Sequence, residues 1–323
     1  MSCYRQLDVS QVTLRRLAER HSLLRVDAVH PLVAPAIRLQ DDTVKHFDNM
    51  AKARKIRSAI LLMIGAHPIK LGLSRYLIDL IDRELIKHVA VNGAGLVHDF
   101  ELALAGETSE DVAHWIKLGQ FGLWHETSRL NDIIRQAAHD DEGLGEAVGR
   151  VIQEEQFAYR DVSIAAACWR KRIPCTCHVM VGGDIIHAMP NCDGAALGKT
   201  SYTDFLIFAH AVSQLESGTF LNIGSAVTGP EVFLKALSMA RNVARRQGKE
   251  IRDFTTGVFD LVRLPDNYRD GPPSKDDPLY YYRPWKTLLC RTIADGGESF
   301  YVQGDFRETI PALWYSLVNG DVP

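Results

Sequence analysis

The sequence predicts an α/β protein built on a parallel sheet with helices on both faces. Three short apolar segments, at residues 59–64, 88–91 and 220–223, each lead into a turn of small residues and then into a segment with helical periodicity. Continuous apolar strands are typical of a sheet that is covered on both faces. The repeated order of strand, turn and helix is typical of a doubly wound sheet.

The third segment carries an anion-binding pattern. Gly224, Ser225 and Ala226 are small enough for a ligand to lie close to the backbone, and Pro230 suits the first turn of the helix that follows. Because the free N–H groups of a helix N-terminus point at the preceding turn, we expect a phosphate to bind here. An ordinary tight turn explains the same residues, since the GxGxxG pattern is missing.

The first two segments end in similar turns. Gly65, Ala66 and His67 follow the first strand, and Asn92 and Gly93 follow the second. Ligands of doubly wound sheets bind at the carboxyl ends of the strands. We therefore expect the three turns to share one edge of the sheet and to form a nucleotide cleft.

The rest of the chain completes this pattern. Further strands are predicted at residues 173–181, 256–262, 286–292 and 299–303. Helices are predicted at residues 43–57, 73–85, 99–105, 162–169, 202–216 and 309–317, and loops at 187–199 and 265–278. No repeat or clean linker divides the chain. Residues 59–323 are expected to form a single domain, and residues 1–58 an N-terminal helical arm that packs on the core or on a partner subunit.

Composition excludes several classes of function. A net charge of −3 gives no reason to expect nucleic acid as a partner. No apolar run is long enough to span a membrane, and the first residues contain no apolar signal-peptide core. Six cysteines in 323 residues do not resemble a disulfide framework, so a cytoplasmic location with reduced thiols is expected.

A cluster of thiols and imidazoles raises the question of a metal site. Cys175, Cys177 and His178 lie close together, with His187 and Cys192 just beyond. Cys175 and Cys177 share one face of a predicted buried strand while His178 points the other way, and the two-residue zinc knuckle is missing. Buried core cysteines explain the pattern better, and we expect no metal.

Two acidic residues at strand ends are candidates for binding ribose. Asp184 and Asp305 could accept hydrogen bonds from ribose hydroxyls, as acidic residues do in dinucleotide sites. Hydrogen bonding to the backbone of their own turns is the simpler role for either one. Together with three small-residue turns, they favour a nucleotide cleft.

Lys286 follows a loop rich in aromatic residues. Four of the six residues from Tyr280 to Trp285 are aromatic. A lysine held against such rings loses solvation, which disfavours the ammonium and frees the amine for attack on an imine or carbonyl. A surface lysine whose stem packs on Trp285 explains the same residues.

The order of these motifs resembles the deoxyhypusine synthase family, and most of all its bacterial deoxyhypusine synthase-like branch. The resemblance covers about residues 59–317. It rests on residues 65–72, 92–99, 173–174, 183–184, 224–227, 285–286 and 301–305. It implies a Rossmann-like subunit in a homotetramer, with NAD bound between subunits. NAD would take a hydride from a polyamine, and a lysine would hold the aminobutyl group as an imine before an amine receives it.

Residues of this chain match the family motifs unevenly. Asp184 matches the ribose-binding aspartate, Asp305 the acidic residue near the adenosine, and Lys286 the imine-forming lysine, although one residue between Trp and Lys is missing here. The family's catalytic histidine falls at Pro230, beside Glu231. The acidic residue after the ribose aspartate falls near Met189, so that His187 or Asp193 would take its place. The substrate loop is replaced by residues 267–273, which include Asp270.

We therefore expect an NAD-dependent transferase that acts on a small amine or polyamine. The expected catalytic residues are Lys286, Glu231 and His187, and the expected substrate-binding residues are Trp285, Asp193 and Asp270. NAD is expected to contact Gly65, Ala66, His67, Asn92, Gly93, Asp184, Gly224, Ser225, Ala226 and Asp305. A nucleotide-binding protein without turnover is the alternative favoured by the missing histidine. A different NAD-linked carbonyl–amine reaction of the same lysine is another.

Overall fold

Six parallel strands form the central sheet in the computed structural model, which describes residues 3–35 and 59–319. The strands in chain order are β1 (Ser22–Arg25), β2 (Ile60–Ile64), β3 (His88–Asn92), β4 (Glu107–Glu110), β5 (Cys175–His178), β6 (Thr219–Ile223), β7 (Thr255–Asp260) and β8 (Glu298–Gln303). The sheet order is β5-β3-β2-β6-β7-β8, and every neighbouring pair is parallel. Strands β1 and β4 form a separate antiparallel pair.

Helices connect the parallel strands. They are α1 (His67–Lys70), α2 (Ser74–Asp82), α3 (Gly93–Ala105), α4 (Val112–Lys117), α5 (His125–His139), α6 (Leu144–Glu154), α7 (Ile164–Lys171), α8 (Gly194–Ser213), α9 (Thr228–Arg246) and α10 (Phe306–Asn319). A π-helical segment spans Pro284–Arg291. Within the described ranges, no helix has both the length and the apolar character needed to cross a membrane.

The sheet separates two hydrophobic layers. In β2, Ile60, Leu62 and Ile64 face one layer, and Leu61 and Met63 face the other, as the two-residue period of a strand requires. Helices α2, α3, α5, α6, α7 and α10 supply the first layer, while α9, the π-helical segment and much of α8 supply the second. The predicted doubly wound, Rossmann-like α/β class is confirmed.

Three local predictions are wrong. The strand expected at residues 286–292 is the π-helical segment, because a short apolar run does not distinguish a strand from a buried helix. The turn expected after Asn92 is the first turn of α3, which Asn92 caps by accepting a hydrogen bond from the N–H of Gly95. The loop expected at 187–199 ends early, because Asp193 caps α8. The helix expected at 43–57 lies outside the described residues.

A buried ion pair fastens the N-terminal arm to the core. Arg20 donates two hydrogen bonds, of 3.1 and 2.8 Å, to the carboxylate of Glu101 in α3. Both side chains are 2% exposed or less. Burial alone would raise the pKa of Glu101, but the charge of Arg20 and hydrogen bonds from Arg20, Thr127 and Thr108 outweigh it and hold the pKa below its usual value. The described part of the arm therefore depends on a charge that α3 supplies.

Replacing Arg20 should destabilise the fold strongly. We expect Arg20→Met to lower the free energy of unfolding by about 3–5 kcal/mol at neutral pH, because it leaves the Glu101 carboxylate buried without its partner. Arg25→Met is the matched control: it removes a pair in the same arm whose arginine is 68% exposed, and should cost less than about 1 kcal/mol. Urea unfolding measures both.

The effect of Arg20→Met should also depend on pH. The folded-state pKa of Glu101 lies below the usual value of 4.5, so the stabilisation is complete well above pH 4.5 and declines as the pH falls below it. Equal losses for the two variants at neutral pH would contradict the role assigned to this pair.

Candidate functional site

The carboxyl ends of β2 and β6 meet at two glycines. A Cβ atom added to Gly65 would lie 2.2 Å from the carbonyl oxygen of Gly224. Gly224 itself has a φ of +65°, a conformation that glycine adopts without strain. Any side chain at Gly65 would force the two turns apart. The two turns predicted to be neighbours are therefore in direct contact.

Asp184, in the turn after β5, lies at the same edge of the sheet. The carboxylate of Asp184 packs against Gly93, where an added Cβ would be 2.2 Å from Oδ2. Oδ2 accepts a hydrogen bond of 2.7 Å from the N–H of Met180, and the N–H of Ala94 also donates to the carboxylate. Burial raises the pKa of Asp184, and these hydrogen bonds oppose the rise. Asp184 thus sits at the N-terminus of α3, beside the turn that was expected to bind NAD.

The turn after β6 has one side that is buried and hydrogen-bonded and another that is exposed to solvent. Ser225 is 3% exposed; its Oγ accepts a hydrogen bond of 2.9 Å from the N–H of Gly229, and its carbonyl accepts one of 3.0 Å from the Asn222 side chain. Val227, at the N-cap of α9, makes no side-chain cap and is 53% exposed. In the first turn of α9 the N–H of Gly229 is taken by Ser225 and Pro230 has no N–H, which leaves Thr228 as the residue whose N–H could contact a ligand.

These features fit an extended dinucleotide. The Asp184 carboxylate lies at Gly93, after β3, and β3 and β6 are two strand spacings apart, so Asp184 and the turn at Gly224 are about 10 Å apart. Only a long ligand could contact both. The N–H of Thr228, at the start of α9, could contact a pyrophosphate, and the free lone pairs of Asp184 could accept ribose hydroxyls.

Asp305, which follows β8, and His67, which follows β2, also lie at the carboxyl edge of the sheet. Asp305 follows β8 and binds the guanidinium of Arg307, and hydrogen bonds from the Arg307 side chain and backbone lower its pKa to about 2. The ring of His67 lies 6.5 Å from that of Phe306, which in turn packs near Gly224. The Asp305 carboxylate also accepts a hydrogen bond of 2.8 Å from the N–H of Arg307, which is the turn role named above as its simpler one.

Lys286 is buried in the π-helical segment. The segment and the residues before it pack along β7 in the opposite direction to the strand. Tyr282 donates a hydrogen bond to Asp260 near the end of β7, and the carbonyl of Leu288 accepts one from Thr256 near its start. Lys286 lies between these points and is 7% exposed. Its Nζ atom lies 3.3 Å from the centroid of the Tyr280 ring. Hydrogen bonding to Lys286 and the charge of the ammonium lower the pKa of Tyr280.

The neighbours of Lys286 hold it in place. Trp285 is 4% exposed, and its Nε1 donates to the carbonyls of Tyr268 and Gly271, at 2.9 and 3.2 Å. The loop of residues 265–278 is thereby fastened to the segment. Within the described ranges no carboxylate lies within ion-pairing distance of the Lys286 ammonium, whose close polar partner is Tyr280, through its ring and a hydrogen bond. An amine of this kind can react if its proton is removed.

Glu231 is held between two cations. Its carboxylate accepts hydrogen bonds from Arg283 and Lys235, and the contact with Lys235, followed by that with Arg283, lowers the pKa of Glu231. Arg283 lies three residues before Lys286, so Glu231 approaches the same segment. A carboxylate with a lowered pKa is a weak proton acceptor.

Of the remaining candidates, His187 and Asp193 lie elsewhere in the subunit, whereas Asp270 lies between Tyr268 and Gly271, whose carbonyls bind Trp285. His187 binds the carbonyl of Asp184 through Nδ1, at 2.8 Å, beyond the end of β5. Strands β5 and β7 are four strand spacings apart, or about 19 Å, so one subunit does not bring His187 to Lys286. Asp193 caps α8, and Asp270 is exposed in a short 3-10 helix.

A cluster at the end of β7 was missed by sequence reasoning. Asp260 accepts a hydrogen bond of 2.7 Å from the hydroxyl of Tyr282, which lies 3.5 Å from the hydroxyl of Tyr301. Burial raises the pKa of both tyrosines. The signal was present: Asp260 is an acidic residue at the carboxyl end of an apolar strand. This cluster and Lys286 occupy the same side of the sheet.

The thiols and imidazoles of β5 divide between the two layers. Cys175 and Cys177 face one layer, while His178 faces the other and is bridged to His88 by Thr176. Burial lowers the pKa of His88 to about 3 and that of His178 to about 4, so both rings are neutral at physiological pH. In the described part of the chain no three such side chains form a cluster suited to a metal ion.

Comparisons with solved structures identify proteins of the same fold. The conserved putative LOR/SDH protein of Methanococcus maripaludis superposes with a TM-score of 0.51 at 13% identity, over 89% of this chain and 70% of that chain. ArgZ, an arginine dihydrolase from the ornithine-ammonia cycle in cyanobacteria, superposes with a TM-score of 0.50 at 13% identity, over 88% of this chain. This chain spans about a third of the length of ArgZ, at 33%.

A putative deoxyhypusine synthase from Entamoeba histolytica also superposes, with a TM-score of 0.42 at 10% identity, over 82% of this chain and 75% of that chain. No protein-family model and no curated protein matches the chain. The two structures with TM-scores of 0.50 and 0.51 establish the fold of the chain.

Proposed function

We propose that this protein is an NAD-dependent transferase that acts on a small amine through Lys286. The observation that carries the proposal is the buried ammonium of Lys286, which faces the Tyr280 ring and has no carboxylate partner in the described residues. The motif order that resembles the deoxyhypusine synthase family supports the same reaction. The fold shared with an arginine dihydrolase fits an amine-bearing substrate.

NAD would lie along the carboxyl edge of the sheet. Asp184 would accept ribose hydroxyls, and the N–H of Thr228 at the start of α9, with Gly224, Ser225 and Ala226, would contact the pyrophosphate. When bound, NAD supplies a hydride acceptor for the carbon that carries the substrate amine. Because the backbones of Gly65 and Gly224 pack directly together, no side chain projects from the edge at this point, and a ligand would have room to lie across it.

Lys286 would then act as a nucleophile. The neutral amine adds to the carbon of the substrate imine, the bond from that carbon to the departing amine breaks, and the departing amine takes up the proton that Lys286 loses. The aromatic ring of Tyr280 would also attract a cationic amine, by about 0.5–2 kcal/mol. Trp285, fastened to the loop of residues 265–278, would exclude water from this reaction.

A proton acceptor for Lys286 would come from a neighbouring subunit. Glu231 is neutralised by Arg283 and Lys235, and His187 lies beyond β5 at the far end of the edge. A homotetramer with shared sites, as the resemblance implies, would bring the His187 of one subunit to the Lys286 of another. Asp193, which caps α8, would contribute to the substrate site in the same way. Asp270 would contribute from the same subunit as Lys286, because it lies between Tyr268 and Gly271, whose carbonyls bind Trp285.

A nucleotide-binding protein without turnover is the second candidate. The specific observation in its favour is the ion pairing of Glu231, which stands next to Pro230 where the family has its catalytic histidine. Such a protein would bind NAD with the same edge but would form no adduct on Lys286. A different NAD-linked carbonyl–amine reaction would form an adduct with another class of substrate.

Gly93→Ala should abolish NAD binding. The added Cβ would displace the Asp184 carboxylate, so we expect the rise in melting temperature on adding NAD to disappear. Gly198→Ala is the matched control, because it adds a methyl group within α8 where nothing lies within 4 Å. Thermal unfolding with and without NAD measures both. A thermal shift in Gly93→Ala equal to that of the wild type would contradict the placement of NAD.

Lys286 should form a covalent adduct with the substrate. After incubation with NAD and a panel of diamines, borohydride reduction should add the mass of an alkylamine to the tryptic peptide that contains Lys286. Lys286→Ala should lose the adduct and still bind NAD, whereas Lys275→Ala, which removes an exposed lysine of the neighbouring loop, should keep it. Binding of NAD without any adduct would favour the second candidate.

Oligomerisation should be required for activity. We expect light scattering to give about four times the 36.1 kDa of one chain. Mixing the inactive variants Lys286→Ala and His187→Ala should restore part of the activity, because mixed tetramers contain some intact sites. A monomeric mass, or no recovery on mixing after subunit exchange, would rule out shared sites.

A further inference from the structure

A cationic cavity lies at the end of the sheet opposite the nucleotide edge. It has a volume of about 360 Å³ and is bounded by α9 and by the last turn of the π-helical segment. The polar residues that line it are Ser238, Arg241, Asn242, Arg245, Arg291, Thr292 and Asp295. Three arginines and one acidic residue share this small space, so the cavity carries an excess of positive charge.

Arg241 forms the fixed wall of the cavity. Its Nε donates a hydrogen bond of 2.9 Å to the carbonyl of Ile251, and an Nη2 hydrogen bond of 3.3 Å reaches the carbonyl of Thr292. Its guanidinium also lies 5.9 Å from the centroid of the Phe254 ring. These partners are neutral, so they orient the guanidinium without forming an ion pair with it. Burial lowers the pKa of Arg241, the charge of Asp295 opposes this, and Arg252 and Arg245 lower the pKa further.

Helix α9 directs four polar side chains into the cavity. Arg241 and Asn242 lie three and four residues after Ser238, and Arg245 lies three residues after Asn242, which places all four on one face of the helix. Arg246, the next residue in the chain, does not line the cavity. Proximity to the negative helix C-terminus favours Arg245 and Arg246 alike, so it does not explain why only one of them faces this space.

The acidic residue of the cavity is already engaged. Asp295 lies 3.4 Å from the Nε of Arg252, a residue outside the cavity lining. Among the residues that the structure describes, no carboxylate comes within 4 Å of the guanidinium of Arg245 or Arg291. Uncompensated arginines that converge on one cavity repel one another unless an anion joins them.

We infer that this cavity binds a small phosphate-bearing anion. Arg241, held in place, would contact one side of the phosphate, and Arg245 and Arg291 would close on it with charge-assisted hydrogen bonds. Ser238 and Asn242 supply neutral donors beside them. The volume accommodates inorganic phosphate, pyrophosphate or the phosphate end of a small metabolite. The inference does not rest on the proposed function, since the cavity and the nucleotide edge lie at opposite ends of the strands.

Calorimetric titration of the full-length protein with pyrophosphate tests the inference. We expect saturable binding, with one site per chain outside the nucleotide edge that persists in the presence of excess NAD. The double variant Arg245→Gln/Arg291→Gln should weaken this binding about tenfold or more, because two charged donors are lost. Arg246→Gln is the matched control: it removes the same charge from the same helix end and should bind as the wild type does.

Three results would overturn the inference. The wild type could show no saturable binding at millimolar pyrophosphate. The control variant could lose as much affinity as the double variant, which would indicate a diffuse basic surface. Excess NAD could abolish binding that the double variant retains, which would assign the anion to the nucleotide edge. Circular dichroism of each variant establishes that a loss of affinity is not a loss of fold.

Discussion

The contact between Gly65 and Gly224 is the constraint on which the nucleotide edge depends. Parallel strands β2 and β6 end side by side, and the backbone of one turn occupies the space that a side chain of the other would need. The two turns therefore carry no side chain at their contact. Ala226 and Val227, which lead into α9, are exposed to solvent beside them. Gly93, which follows the neighbouring strand β3, makes a similar close contact. The carboxylate of Asp184 occupies the space that a Cβ of residue 93 would need.

The polar groups of the edge fall into two sets. Asp184 and His187 belong to the end of β5, whereas Lys286, Glu231 and the Asp260 cluster belong to β6 and β7. An extended ligand could connect the two sets within a subunit, and a partner subunit could bring a second copy of one set to the other. Either arrangement explains why the buried amine of Lys286 has no base beside it in the single chain.

Apolar runs such as residues 59–64 and 220–223 predicted the strands correctly, because a strand buried on both faces must be apolar throughout. The same rule failed for residues 286–292, since a buried helix can present an equally apolar run. The approach of Asp184 to Gly93 joins residues far apart in the chain, and no local pattern contains it. The pairing of Glu231 with Arg283 was missed for the same reason: it depends on how α9 packs on the π-helical segment.

A crystal structure of the protein with NAD and a diamine tests the central claim most directly. The account predicts a dinucleotide that extends from Asp184 to the N-terminus of α9, with its nicotinamide ring and the Nζ of a Lys286, from the same or a neighbouring subunit, facing the same substrate carbon at about 3–4 Å. A nicotinamide ring remote from every Lys286 in the assembly would contradict the claim, as would a dinucleotide bound away from the carboxyl edge.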